Sequence, residues 1–136
     1  MSPGTQLTQA PIASNDDVVR VRQLVRALAQ ECRLSLVDQT KLITAASELA
    51  RNTLVHGGGG SMGTALVDNG LRRGVRVVFE DSGPGIPDLD LALTDGWTSG
   101  TGLGLGLSGS RRLVDEFAID SRPGRGTTVT IVKWAR

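Results

Sequence analysis

The sequence predicts an α+β fold in which helices and strands pack as two layers. Two consecutive stretches carry apolar residues at helical spacing, and a pair of alternating stretches joined by turn residues follows them. A second pair of strand-like stretches lies near the end of the sequence. Elements in this mixed order bury their apolar faces against one another, so we expect a two-layer sandwich.

Length and composition predict one globular domain and exclude several classes of protein. The 136 residues suffice for a real core, and 39% apolar with 21% charged residues is typical of a globular chain. A net charge of +1 and only four aromatic residues, two Trp and two Phe, argue against a nucleic-acid partner. No apolar run reaches membrane-spanning length and no signal peptide is evident, so we expect no membrane partner and a cytoplasmic protein.

The first elements follow from local signals. Residues 1–5 contain Ser, Pro and Gly and are expected to be disordered. Residues 6–13 alternate weakly and predict a strand, which Pro11 restricts to a sheet edge. Residues 14–17 are N-cap and acidic residues that begin a helix. Its apolar positions recur through residue 29, and Cys32, which follows, is read as a buried filler.

A second helix is predicted from residue 36 or 37 to about residue 55. Glu48 and Asn52 lie one turn apart on this helix and share a face. They are either a solvated polar pair or a carboxylate and an amide that point into a pocket. His56 either extends that face or caps the end of the helix.

Glycines and turn residues organise the remainder of the chain. The four glycines at 57–60 end the second helix and predict a flexible segment. Residues 61–67 and 74–81 predict a hairpin around Asp68-Asn69-Gly70. Further elements are expected at four places: a short helix at 88–95, a last helix at 107–116, and strands at 117–121 and 127–133.

The most informative stretch is residues 80–109, which holds eight of the 18 glycines. Asp81 stands where a strand ends, before a sharp bend over Gly83 and Gly85. A second glycine cluster precedes the last helix, and such a loop leaves N–H groups free for phosphate. A P-loop would need a Gly-Lys-Ser/Thr ending, and the alternating glycines have the wrong spacing for a dinucleotide fingerprint. An ordinary loop remains the alternative.

Four motifs in one order resemble the GHKL ATPase superfamily: Glu48 and Asn52 on a helix, Asp81-x-Gly83-x-Gly85 after a strand, alternating glycines from Gly100 to Gly106, and Gly126-Thr127 at the last strand. The resemblance implies the Bergerat fold, in which helices cover one face of a mixed, mostly antiparallel sheet. The segments 47–52, 80–88 and 131–136 also resemble the switch serine/threonine kinases of bacterial stress signalling.

The resemblance also implies roles for individual residues. Asn52 would ligate Mg²⁺, and Glu48 would act as the general base. Asp81 would accept a hydrogen bond from the adenine amino group of ATP, beside the hydroxyl of Thr127. The remaining positions would let the backbone pass the base and wrap the phosphates: Gly83, Gly85, Gly100, Gly102, Leu103, Gly104 and Gly106.

Two hypotheses about function follow from the resemblance. The first is a serine/threonine kinase that moves the γ-phosphoryl group of ATP to a STAS-domain antagonist protein and that can also activate a PP2C-like phosphatase. The second is a nucleotide-gated binding module, such as an anti-sigma factor.

Overall fold

The computed structural model describes residues 8–86, residue 93 and residues 106–136. Its elements run in the order β1 (Thr8–Ile12), α1 (Asn15–Glu31), α2 (Leu36–Val55), β2 (Gly60–Asp68), β3 (Arg73–Asp81), α3 (Leu107–Leu113), β4 (Glu116–Arg122) and β5 (Gly126–Trp134). The α+β sandwich predicted from the sequence is therefore confirmed. The expected disorder of residues 1–5 and the short helix at 88–95 concern segments outside the described residues, apart from Leu93.

The two long helices begin at side-chain caps. The hydroxyl of Ser14 accepts a hydrogen bond from the backbone N–H of Asp17 at the start of α1. Ser35 does the same for the N–H of Asp38 at the start of α2. Such caps satisfy N–H groups that have no partner within the helix. Both predicted helices are thus confirmed, and Arg33 turns the chain between them with a positive φ of 62°.

The five strands form one sheet in the order β1-β2-β3-β5-β4, and all four pairings that the structure describes are antiparallel. The strand that contains Pro11 lies at the edge, as predicted. The predicted hairpin joins β2 to β3, and the side chain of Asn69 accepts hydrogen bonds from the N–H groups of Leu71 and Arg72 in its turn. The long-range pairing of β3 with β5 places Asp81 opposite Thr127.

One predicted boundary is wrong. The last helix was expected to run to residue 116, but α3 ends at Leu113 because Val114 is extended, with φ −120° and ψ 165°. The N–H of Asp115 then donates to the carbonyl of Val132, and β4 begins at Glu116. Strand pairing with β5 therefore overrides the helical pattern of these residues.

The core lies between the helices and one face of the sheet. Alternate residues of β3, namely Val75, Val77 and Phe79, are almost fully buried against residues of α1 and α2. Cys32 is buried in the same core, as predicted, and burial raises the pKa of its thiol. Within the described ranges, no helix is long and apolar enough to cross a membrane.

A cluster of charges lies where β5 meets the start of α2, and we call it the ionic end. Lys133 is 4% exposed, and its Nζ lies 3.5 Å from Oδ1 of Asp38 and 3.5 Å from Oδ1 of Asp115. Arg136 contacts the same two carboxylates from the surface. Asp115 also accepts a hydrogen bond of 2.7 Å from the backbone N–H of Trp134. The ionic end therefore fastens β5 to the first turn of α2.

Candidate functional site

A small cavity of about 20 Å³ lies between the last turns of α2 and the opposite end of β3 and β5. Its walls are mostly apolar, with a few polar side chains among them. The lining residues are Leu49, Asn52, Thr53, His56, Phe79, Asp81, Ile86, Leu107, Thr127 and Val129. An apolar cavity with a few convergent polar groups is the usual form of a small-molecule site.

Helix α2 brings the two predicted polar residues to different openings. Asn52 lines the cavity, whereas Glu48, one turn earlier, lines a separate cleft of about 270 Å³ with Arg22, Thr44 and Arg51. Both side chains are half-buried. The two side chains therefore line different openings, and their roles as site residues stay predictions.

Asp81 and Thr127 are brought together by sheet register. They are directly opposite in the pairing of β3 with β5, and both line the cavity. The carboxylate Oδ1 of Asp81 accepts a hydrogen bond of 2.9 Å from the N–H of Gly83. The predicted bend after β3 thus fixes one oxygen of this carboxylate, since the turn and the side chain close on each other.

Ser121 was not predicted, and it ties the loop after Asp81 to β5. Its hydroxyl accepts a hydrogen bond from the N–H of Ile86 at 2.8 Å and lies 2.7 Å from the hydroxyl of Thr127. The N–H of Gly124 donates to the carbonyl of Pro84 at 2.8 Å. No local signal marks Ser121, because its role depends on the pairing of β4 with β5.

The glycines at 57–60 were expected to form a flexible segment; the first of them, Gly57, and His56 before it make close contacts. His56 ends the helix, as one alternative proposed, and its Nε2 also lies 3.2 Å from the carbonyl oxygen of Gly85. Gly57 lies against Asp81 so closely that a methyl group on it would be 2.6 Å from Oδ2 of the carboxylate. The helix end and the loop after β3 are therefore in direct contact.

The second glycine motif is described only at its last residue. Gly106 has φ 63° and precedes α3, and a methyl group on it would lie 2.6 Å from Oε1 of Glu48. Only glycine fits this approach of the loop to the carboxylate. The other predicted members, Gly100, Gly102, Leu103 and Gly104, lie outside the described residues. Gly83 and Gly85 lie in the loop beside Gly57 and Arg122, respectively.

The described residues contain no group of three or more His, Cys, Asp or Glu side chains that could hold a metal ion. The amide of Asn52 is nevertheless a suitable single ligand for Mg²⁺, which favours hard oxygen atoms and retains water or phosphate in its other positions. The donor chemistry at the cavity therefore fits Mg²⁺ that arrives with a nucleotide.

Comparison with protein families gives a match over residues 37–135 to the histidine kinase-, DNA gyrase B-, and HSP90-like ATPases. The serine/threonine-protein kinase RsbT of Bacillus subtilis is 43% identical over 120 residues, which are 88% of this chain and 90% of RsbT. An anti-sigma F factor of Clostridium kluyveri is 26% identical over 125 residues, covering 89% of this chain and 87% of that protein.

Solved structures show the same fold. The RsbU and RsbW domains of a Mycobacterium tuberculosis protein match with a TM-score of 0.64 and 23% identity, covering 97% of this chain. This chain spans 33% of that two-domain structure. The catalytic domain of histidine kinase ThkA matches with a TM-score of 0.54 and 18% identity, covering 96% of each chain.

Proposed function

The chain belongs to the histidine kinase-, DNA gyrase B- and HSP90-like ATPase family, and from this membership we propose that it is an ATP-dependent serine/threonine protein kinase. Its substrate in this proposal is a hydroxyl group on a STAS-domain antagonist protein. The observation that carries the proposal is the position of α2 between two openings. Asn52 faces the cavity of Asp81 and Thr127, and Glu48 faces a neighbouring cleft.

The side chains that line the cavity have the chemistry that the adenine base of ATP requires. Its apolar walls, which include Phe79, Ile86 and Val129, would cover the faces of a flat ring. The carboxylate of Asp81 would accept a hydrogen bond from the adenine amino group, because Gly83 occupies only its Oδ1. Guanine carries a carbonyl oxygen where adenine carries that amino group, so a carboxylate acceptor would select adenine.

Asn52 would hold Mg²⁺ through its amide oxygen at the phosphate side of the cavity. The ion, when bound with ATP, would neutralise charge on the phosphate oxygens. Gly106, together with the glycines before it, would bring backbone close to the phosphates. In these roles the γ-phosphate would lie near Glu48, which the close approach of Gly106 to Glu48 supports.

Glu48 would act as the general base for phosphoryl transfer. Its carboxylate would take the proton of the acceptor hydroxyl as that oxygen bonds to the γ-phosphorus. The bond from the γ-phosphorus to the bridging oxygen then breaks, and ADP leaves with the electron pair. The acceptor would enter through the cleft that Glu48 shares with Arg22 and Arg51.

A second candidate function is a nucleotide-gated binding module, which is favoured by the similarity to anti-sigma F factors at 26–29% identity. Such a protein would bind or release a partner according to its nucleotide. The partner could equally be a PP2C-like phosphatase that this chain activates. Both versions require nucleotide binding, and neither requires Glu48 to act in chemistry.

Incubation with labelled ATP, Mg²⁺ and STAS-domain partners tests the kinase. Glu48→Ala should lower the rate of phosphorylation by about 100-fold, the low end of the effect of a general base, because phosphoryl transfer through a loose transition state demands less of one. ATP affinity and partner binding should persist. Normal phosphorylation by this variant would remove Glu48 as the general base, whereas nucleotide binding without phosphorylation by the unmodified protein would favour the binding module.

A matched control is Glu31→Ala, which removes an exposed carboxylate at the end of α1. It should phosphorylate the partner at the rate of the unmodified protein.

Glu48→Ala has one further informative outcome. Loss of ATP binding in this variant would assign Glu48 to the Mg²⁺ shell instead of to proton transfer.

A further inference from the structure

His56 and Gly57, which we call the α2 corner, contact the loop that follows Asp81. Neither residue belongs to the four motifs identified in the sequence. Nε2 of His56 lies 3.2 Å from the carbonyl oxygen of Gly85. A methyl group on Gly57 would lie 2.6 Å from both Cβ and Oδ2 of Asp81. A methyl group on Gly83 would in turn lie 2.7 Å from the carbonyl oxygen of Gly57.

These contacts enclose the Asp81 carboxylate from two sides. Oδ1 accepts the hydrogen bond from Gly83, and Oδ2 lies over the backbone of Gly57. A side chain held by both a hydrogen bond and close packing has one orientation available to it, so its hydrogen bond to a ligand requires no further ordering. The carboxylate of Asp81 occupies the space that a side chain at position 57 would fill.

We propose that the α2 corner is a positioning element for nucleotide recognition: Gly57 seats the Asp81 carboxylate, and His56 holds the loop that carries it. The corner would thereby set the preference for adenine over guanine. This inference rests on the proposed function, because it assigns a task to the same Asp81. It also couples base recognition to α2, the helix that carries Glu48 and Asn52.

Gly57→Ala should displace the carboxylate, because the added methyl group overlaps it. ATP affinity should fall by about 10- to 100-fold, as expected for loss of one hydrogen bond to a charged group, and the preference for ATP over GTP should narrow by a similar factor.

Gly58→Ala is the matched control. Gly58, unlike Gly57, has a positive φ, of 74°, and an added methyl group there meets nothing within 4 Å. The variant should therefore add backbone strain to the same segment without displacing the Asp81 carboxylate and without loss of ATP preference. Equal narrowing of the ATP-to-GTP preference in both variants would overturn the inference, because general loosening of the segment would then be the cause.

His56→Ala tests the α2 corner by removing a side chain, so nothing is added that could overlap Asp81. If Gly57→Ala does not fold, this variant still tests the role of the corner in nucleotide recognition. It should lower ATP affinity by about 3- to 10-fold and narrow the ATP-to-GTP preference, because the loop loses one hydrogen bond. Wild-type affinity for both nucleotides in His56→Ala would overturn the inference.

Asp81→Asn separates the inference from the proposed function. Affinities of ATP and GTP for all four variants would be measured by titration calorimetry with Mg²⁺. Loss of ATP affinity in Asp81→Asn together with Gly57→Ala and His56→Ala supports the inference. Loss in Asp81→Asn alone overturns the inference and leaves the proposed function standing. Unchanged ATP affinity in Asp81→Asn overturns the role of Asp81 and the inference with it.

Discussion

The β3–β5 strand pair has two ends that are built in opposite ways. At the ionic end, Lys133 is buried between two carboxylates, and Asp115 also binds the backbone of Trp134. At the other end, Asp81 and Thr127 face a cavity, and glycines at positions 57 and 83 leave room around the carboxylate. Paired charged side chains fill the ionic end, whereas glycines, which have no side chain, leave the cavity end open.

Helix α2 explains why the molecule needs both ends. Asp38 lies in its first turn at the ionic end, and Asn52 lies near its last turn at the cavity. The two residues are about 21 Å apart along the helix, at 1.5 Å per residue. The ionic end therefore holds the helix in place, so that residues at its far end can meet a ligand with little reordering.

Removal of the buried cation is expected to have the largest effect. Lys133→Met keeps apolar volume but leaves Asp38 and Asp115 with the surface cation Arg136 as their one remaining cation among the described residues. Its free energy of unfolding should fall by about 3 kcal/mol, the low end for a broken buried pair. Urea denaturation measures this change, and an unchanged midpoint would show that the ionic end does not stabilise the fold. Nucleotide affinity of the folded protein should stay within about threefold.

Asn52→Ala tests the opposite end. Affinity for ATP in the presence of Mg²⁺ should fall by about 100-fold or more, because even residues that only support a metal ligand contribute about 10- to 100-fold. The thermal midpoint should change little. Asn52→Asp retains an oxygen ligand and should recover part of the affinity. Unchanged ATP binding by Asn52→Ala, with and without Mg²⁺, would remove Asn52 from the site.

Arg136→Ala is expected to have the smallest effect, and it separates burial from charge at the ionic end. Arg136 contacts the same carboxylates as Lys133, but its side chain is 53% exposed. Its removal should lower the free energy of unfolding by less than about 1 kcal/mol, because solvent screens exposed ion pairs. A loss as large as that of Lys133→Met would show that exposure does not decide the contribution of each cation.

Local signals predicted most of the elements. The cap residues at 14–17, the helical spacing and the hairpin turn at Asp68-Asn69-Gly70 depend on neighbours in sequence, and all are confirmed, whereas the cap at Ser35 was not predicted. The motifs also led to Asn52, Asp81 and Thr127, which the structure brings to one cavity.

Contacts between distant segments could not be predicted. Lys133 looked like an ordinary strand residue, and nothing in its neighbourhood indicates Asp38 as a partner. The glycines at 57–60 indicated flexibility, since the sequence does not show that Asp81 fills the space above Gly57. The end of α3 was misplaced because the pairing of Glu116 with Val132 is equally non-local.

The strand order has a consequence for how the protein is made. The α1–α2 and β2–β3 pairs join neighbours in sequence and can form early, whereas β3 must wait for β5, which closes a long loop. Thr127 and Lys133 both belong to that late strand. A nascent chain therefore lacks both the cavity and the ionic end until residues 126–134 have left the ribosome, and a ligand that binds at the cavity can stabilise only the finished sheet.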